Sequence, residues 1–198
     1  MANSIDRFDE DYYRKYYHDP STRVIEPGEM KLLGDYVCSA LRHLQQPVRR
    51  VLDLGCGIGA WQEIFAENFP SARYHGVEAS LYLCEEYGWN QGSVVDWYSR
   101  RPFDMVICND VIQYLDDAEA EVALNNLARL CRGVLYFGVL TAEDWEENCD
   151  KRYTETVDNL RPGQWYRDRL SKHFWNFGGG IFISTRASIV RYELEKLR

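Results

Sequence analysis

Three glycines at alternate positions, Gly55, Gly57 and Gly59, follow the apolar run Val51-Leu52-Asp53-Leu54. Such a run reads as a buried strand, and glycine lets the backbone turn sharply and approach a ligand with no side chain in the way. A helix then starts near Ala60, because Ile64, Phe65 and Phe69 share one face and Pro70 ends the pattern. Strand, glycine turn and helix make half of a βαβ unit, whose crevice takes nucleotide-like ligands. Gly55, Gly57 and Ala60 also satisfy G-x-G-x-x-G/A, so the turn alone leaves a dinucleotide open. Glu78 ends a second strand, Arg73–Glu78, about twenty residues past the glycines, where an ionised carboxylate can accept from both hydroxyls of a ribose.

The elements that must position these residues follow from periodicity. Pro27 opens a helix whose Met30, Leu33, Val37, Ala40, Leu41 and Leu44 recur at 3.6 spacing until Gln45-Gln46-Pro47. Strands are expected at Arg50–Leu54, Arg73–Glu78, a short stretch within 89–95, 103–108 and 133–140. The last of these is almost continuously apolar, as befits a central strand covered on both faces. Helices are expected at 60–69, from Ser80 to the stop at Gly88, after the capping pair Asp116-Asp117, and at 163–172. Residues 181–185 and 189–194 form a closing antiparallel pair, in competition with a helix over 187–197.

The glycine turn closing at Gly59, the acid Asp53 inside the motif and the helical segment before the first strand together resemble motif I of the class I methyltransferases that use S-adenosylmethionine. Gly76 before the terminal Glu78 resembles motif II of that family, and the resemblance covers residues 48–140. It implies a Rossmann-like α/β fold: a seven-stranded, mostly parallel sheet with an antiparallel last strand and helices on both faces. It also implies a turn that faces the amino-acid part of the cofactor with no pyrophosphate present. Asn109 and Asp110 fall where motif IV lines the methionine end of the cofactor. The adenine station departs from the family's Gly-Asp: here Gly92-Ser93-Val94-Val95-Asp96-Trp97 leaves either Ser93 with the Val94 amide, or Asp96 under Trp97, to meet the base. Asp53 is expected to fix the glycine loop through backbone amides.

Phe8, Tyr12, Tyr13, Tyr16 and Tyr17 alternate with charges before Pro20 breaks the run. The i, i+4 tyrosines make an aromatic stripe on a short helix, and the family's N-terminal lid suggests that residues 1–26 cover the cofactor, with Tyr13 against it and Arg23 within reach of its carboxylate. Residues 141–180 would then border the acceptor, where His173 has the chemistry of a general base. Trp145, Trp165, Tyr166 and Trp175 are candidate walls for that acceptor. Motif IV lacks the Asn/Asp-Pro-Pro-Tyr/Phe sequence used on amide and base nitrogens, which lowers DNA adenine and glutamine as acceptors. The expected reaction is direct methyl transfer from S-adenosylmethionine to oxygen or nitrogen of a small molecule. A noncatalytic cofactor-binding protein, an aminopropyl transferase and an NAD-dependent oxidoreductase remain as alternatives.

Composition bounds these readings. At 198 residues the chain suits one α/β domain, which the resemblance makes a methyltransferase domain over 1–198, and a net charge of −8 disfavours nucleic acid and anionic membranes as partners. Residues 151–198 carry ten Lys/Arg against five Asp/Glu, +5, which leaves −13 for the first 150. The six cysteines form no C-x-x-C pair, so neither a metal site nor a disulfide framework is expected. Reduced thiols, a start without a basic-apolar leader and the lack of a long apolar run read as cytoplasmic, as a monomer or homodimer.

Overall fold

A computed structural model describes residues 8–155, 157 and 159–190. Its elements are α1 (Glu10–Tyr13), continued by a π-helical turn Arg14–His18, then α2 (Pro27–His43), β1 (Arg50–Leu54), α3 (Ala60–Asn68), β2 (Arg73–Glu78), α4 (Leu81–Tyr87) and β3 (Asn90–Gln91). After these come β4 (Phe103–Asn109), a 3-10 turn Ile112–Tyr114, α5 (Asp117–Leu130), β5 (Cys131–Gly138), α6 (Ala142–Glu147), α7 (Gly163–Leu170), β6 (Phe174–Gly178) and β7 (Ile181–Ser184). The sheet has seven strands in the order β3-β2-β1-β4-β5-β7-β6, and β7 alone runs against the rest. This is the Rossmann-like α/β architecture expected from the sequence.

Alternation along the central strands divides the core between the two faces of the sheet. Val51, Met105, Ile107, Val134 and Tyr136 meet Val37 and Leu41 of α2 and Trp61 and Phe65 of α3. Leu52, Leu54, Val106, Cys108 and Leu135 meet Leu124, Leu127 and Leu130 of α5 and Leu170 of α7. Asp116 caps α5 as its position suggests: its carboxylate accepts from Glu119 N while the Glu119 side chain accepts from Asp116 N. Glu26 and Glu29 make the same reciprocal cap ahead of Pro27. Helices α2 and α5 are thus started by local chemistry and held by one apolar face each.

The end of the sheet differs from the sequence reading. The closing antiparallel pair is β6 with β7, where Gly178, Gly179 and Gly180 turn the chain at positive φ, and not residues 181–185 with 189–194. Ile189 and Val190 lie outside any strand, and residues 191–197 of the competing strand and helix fall outside the described residues. Tyr36 of α2 donates to Gly178 O at 3.0 Å, which ties this hairpin to α2.

Candidate active site

Strands β1, β2 and β4 end on one edge of the sheet, and a cleft of about 730 Å³ opens there. An open α/β sheet binds its ligand at this edge, beyond the carboxyl ends of the strands. Gly55, Gly57, Asn109 and Asp110 line the cleft together, as their positions at strand ends require.

The glycine loop is fastened to β2. Gly55 N and Cys56 N both donate to Val77 O, at 2.8 and 3.2 Å. Gly57 N donates to Glu78 Oε2 at 2.9 Å, and Glu78 Oε1 accepts from Ala79 N and Ser80 N at 2.8 and 3.0 Å. Three backbone donors therefore orient the buried Glu78 carboxylate. Asp53 has a different part from the one expected. It is buried, accepts from the Tyr74 hydroxyl instead of loop amides, and burial raises its pKa to about 7.

The three glycines serve two purposes. A Cβ on Gly55 would lie 2.3 Å from Val111 Cγ2, and one on Gly59 would lie 2.8 Å from the Trp89 ring, so these two clear space for neighbours. Gly57 has φ of +53° and nothing within 4 Å of where its Cβ would stand. It alone of the three presents bare backbone to open space in the cleft. Trp89 Nε1 donates to Gly57 O at 2.9 Å and so supports the loop from behind, a contact that no spacing rule announces.

At the end of β4 the chain turns through Asp110, whose φ of +56° is a conformation that Asp and Asn tolerate best among residues with a Cβ. Its amide donates to Gly138 O at 2.9 Å, and its carboxylate accepts from Asn109 Nδ2 at 2.8 Å and Gln113 Nε2 at 3.3 Å. Asp110 faces the cleft but has protein on nearly every other side, and this desolvation raises its pKa against the two hydrogen bonds. Gln113 is 3% exposed, lines the cleft, and its Oε1 has no donor among the described residues.

The N-terminal segment lies across the cleft. Ser80 Oγ donates to Phe8 O at 2.6 Å, and the Phe8 ring meets Tyr12 and Tyr114 edge-on at 5.1 Å each. Tyr114 donates to Glu155 Oε2 at 3.2 Å, so in the Tyr12–Tyr114 contact, also 3.2 Å, Tyr12 is the donor. Burial, with nearby carboxylates adding to it, raises the pKa of Tyr12, Tyr17 and Tyr114 and keeps them as neutral phenols. Tyr12, Tyr16 and Tyr17 line the cleft, whereas Tyr13 is 4% exposed and stacks on Tyr82 behind it. The far wall comes from Val139, Leu140 and the segment after β5, including Asp144, Asn148, Thr154 and Glu155. Buried Arg161 ties that segment to the turn bearing Gln113 and Tyr114, donating to Leu115 O at 2.6 Å, Ile112 O at 3.3 Å and Asp117 Oδ1 at 2.7 Å.

Several sequence candidates stand elsewhere. His173 precedes β6, where Phe174 pairs with Ser184 at the amino edge of the sheet, so it is removed from any acceptor at the cleft. Arg23 is turned onto Glu26, with Nε 3.0 Å from Oε1, and does not line the cleft. Ser93, Val94 and Asp96 form the turn after β3, outside the cleft lining. Gly92 N ties this turn to Glu78 O at 2.9 Å, Val94 is buried, and Asp96 is exposed. Of the expected walls, Trp165 and Tyr166 belong to the core under α7.

A family model described as "Methyltransferase domain" matches residues 30–189, a span that contains the glycine loop, Glu78 and the turn at Asp110. The chain belongs to this methyltransferase-domain family. It is 27% identical over 154 residues to trans-aconitate 2-methyltransferase of Pseudomonas aeruginosa, covering 74% of this chain and 49% of that protein. It is also 27% identical over 128 residues to a malonyl-[acyl-carrier protein] O-methyltransferase of Legionella pneumophila, covering 59% and 45%. The chain thus spans about half the length of the curated relatives it matches. Among solved structures, a magnesium protoporphyrin IX methyltransferase from Synechocystis superposes with a TM-score of 0.64 at 18% identity, covering 93% of this chain and 99% of that one. An S-adenosylmethionine-dependent methyltransferase from Clostridium acetobutylicum gives 0.62 at 11% identity, covering 94% and 100%. These two likenesses concern the fold. Among the described residues of this methyltransferase-domain chain, no helix is long and apolar enough to cross a membrane.

Proposed function

We propose that this chain binds S-adenosylmethionine and transfers its methyl group to a small molecule by in-line displacement. Gly57 carries the reading: bare backbone at positive φ, open to the cleft, with its amide fixed by the carboxylate that ends β2. The methionine end of the cofactor would lie over Gly55 and Gly57, with its ammonium toward Asp110 and Asn109. Glu78 has three of its roughly four acceptor positions filled by amides, which leaves capacity for about one ribose hydroxyl. The adenine would run toward Ser93 and Val94, since exposed Asp96 offers no enclosed surface. The cofactor supplies an already reactive sulfonium methyl. The chain's own residues align the acceptor and exclude water, and neither task needs a nucleophilic side chain.

Residues 8–26 serve as the roof in this reading, and of the segment 141–180 only the part up to Val157 borders the acceptor. The curated relatives are named for carboxylate acceptors, trans-aconitate and the malonyl group, and methylation of a carboxylate oxygen is the second reading that they favour. Calorimetry with S-adenosylhomocysteine, paired with thermal-shift competition against NAD, tests the cofactor. Binding of the homocysteine compound without displacement by NAD is expected. Displacement by NAD would return the turn to the dinucleotide class, and binding of neither would refute the proposal.

A further inference from the structure

The described residues that line the cleft include four carboxylates, Glu29, Asp110, Asp144 and Glu155, and no Lys, Arg or His. S-adenosylmethionine carries an ammonium, a carboxylate and a sulfonium, a net charge of +1, and Asp110 alone offsets it. Glu155 is already engaged by Tyr114, so the charge left over is that of Glu29 on α2 and of Asp144 on α6, which is kept ionised by the Thr141 hydroxyl, 2.6 Å away, and by Asn148 Nδ2 at 2.9 Å. Two further features ask for a donor or a cation. The buried Gln113 Oε1 has no donor among the described residues, although its amide nitrogen is engaged by Asp110. Tyr12, Tyr16, Tyr17 and Tyr114 line the same space, and the negative face of a phenol ring attracts an ammonium group.

We infer that the methyl acceptor is a cationic amine, held between the carboxylates of Asp144 and Glu29 and the tyrosines of the roof. This inference rests on the methyl-transfer reading given above. An ammonium would lose one proton to bulk water through the cleft mouth. The freed nitrogen lone pair would form the N–CH3 bond as the C–S bond breaks, and the sulfonium would leave as a neutral thioether. A polycarboxylate acceptor would instead meet the like charge of Asp144 and Glu29.

The test uses the full chain saturated with S-adenosylhomocysteine and titrated in a calorimeter with benzyltrimethylammonium or with tricarballylate, so that no turnover is needed. The cation is expected to bind at least tenfold tighter than the tricarboxylate. Asp144→Asn should weaken the cation roughly tenfold through the loss of one nearby charge while leaving S-adenosylhomocysteine affinity within about twofold. Glu29→Gln, which keeps the cap of α2, should weaken it in the same direction and stands in if the first variant does not fold. Tricarballylate binding as tightly as the cation, no binding of the cation, or cation affinity unmoved in the folded variants overturns the inference. Failure of S-adenosylhomocysteine itself to bind is a separate result, and it overturns the methyl-transfer reading on which the inference rests.

Discussion

Substituting Gly57 with alanine separates ligand contact from folding at the centre of the glycine loop. The φ of +53° places the new Cβ in the left-handed region, which costs about 1–2 kcal/mol for a residue other than glycine. Nothing stands within 4 Å of that Cβ, so no packing penalty is added, and the amide bond to Glu78 survives. For a domain of this size the expected fall in Tm is roughly 2–8 °C without ligand. The methyl group occupies the space that the cofactor needs, so S-adenosylhomocysteine affinity should fall at least about tenfold, or roughly 1.4 kcal/mol. Gly55→Ala is the contrasting variant. Its Cβ, 2.3 Å from Val111 Cγ2, adds overpacking of about 1–3 kcal/mol to the same backbone strain, so it should melt lower than Gly57→Ala. Scanning calorimetry and ligand titration on the two variants read both quantities. A Gly57→Ala protein that folds and binds S-adenosylhomocysteine as tightly as its parent would refute the contact, and one that fails to fold would refute the claim of open space.

Glu78→Gln replaces an acceptor of three amides with a group that must turn an NH2 toward at least one of them. Urea denaturation should show about 1–3 kcal/mol of lost stability, and ligand affinity should fall with it; parent-like behaviour in both would free Glu78 of either role. Asp53 has a folded pKa of about 7 against an ordinary 3.8, so the folded state holds a proton that the unfolded state releases. Stability should decline as pH rises between those values and level off above, and Asp53→Asn should flatten that decline; an unchanged pH profile of unfolding would show that Asp53 does not cause it. Residues 8–25 should exchange their amide hydrogens markedly more slowly once S-adenosylhomocysteine is added, and their deletion should weaken ligand binding far more than it lowers the ligand-free Tm. Unchanged exchange, together with collapse of the truncated protein, would assign the tyrosines to the core, where Tyr13 already lies.

The legible parts of the chain were those set by local pattern. Arg50–Leu54, Arg73–Glu78 and the Ser80 to Gly88 helix stand where period and capping put them, because alternation and caps act within a few residues. The meeting of Gly55, Gly57, Asn109 and Asp110 was legible too, since strand ends of a parallel sheet share an edge. The last hairpin was misplaced because residues 189–194 looked as strand-like as 174–178. Three consecutive glycines between two short aromatic and aliphatic runs were the overlooked turn signal. His173 failed for a related reason: with the hairpin shifted, the residue before it moves to the opposite edge. Gln113, Tyr114, Asp144, Glu155 and Arg161 were invisible as a group, because they come together through tertiary contacts between segments up to 49 residues apart in the chain.

The glycine loop is held by main-chain donors, with Gly55 N and Cys56 N on Val77 O, while the acceptor wall is made of side chains from the segment after β5. A hydrogen bond between two peptide groups survives most exchanges of side chain; a wall of side chains changes with every one. The two halves of the cleft therefore tolerate mutation unequally. Random substitution at Asp144, Asn148, Thr154 or Glu155 redraws the surface that an incoming molecule meets and leaves the backbone cradle of the loop in place. A chain built this way can be retargeted by a handful of codon changes on one side of a fixed seat, and directed evolution for a new acceptor should draw its successful mutations from residues 139–157 before any from 51–59.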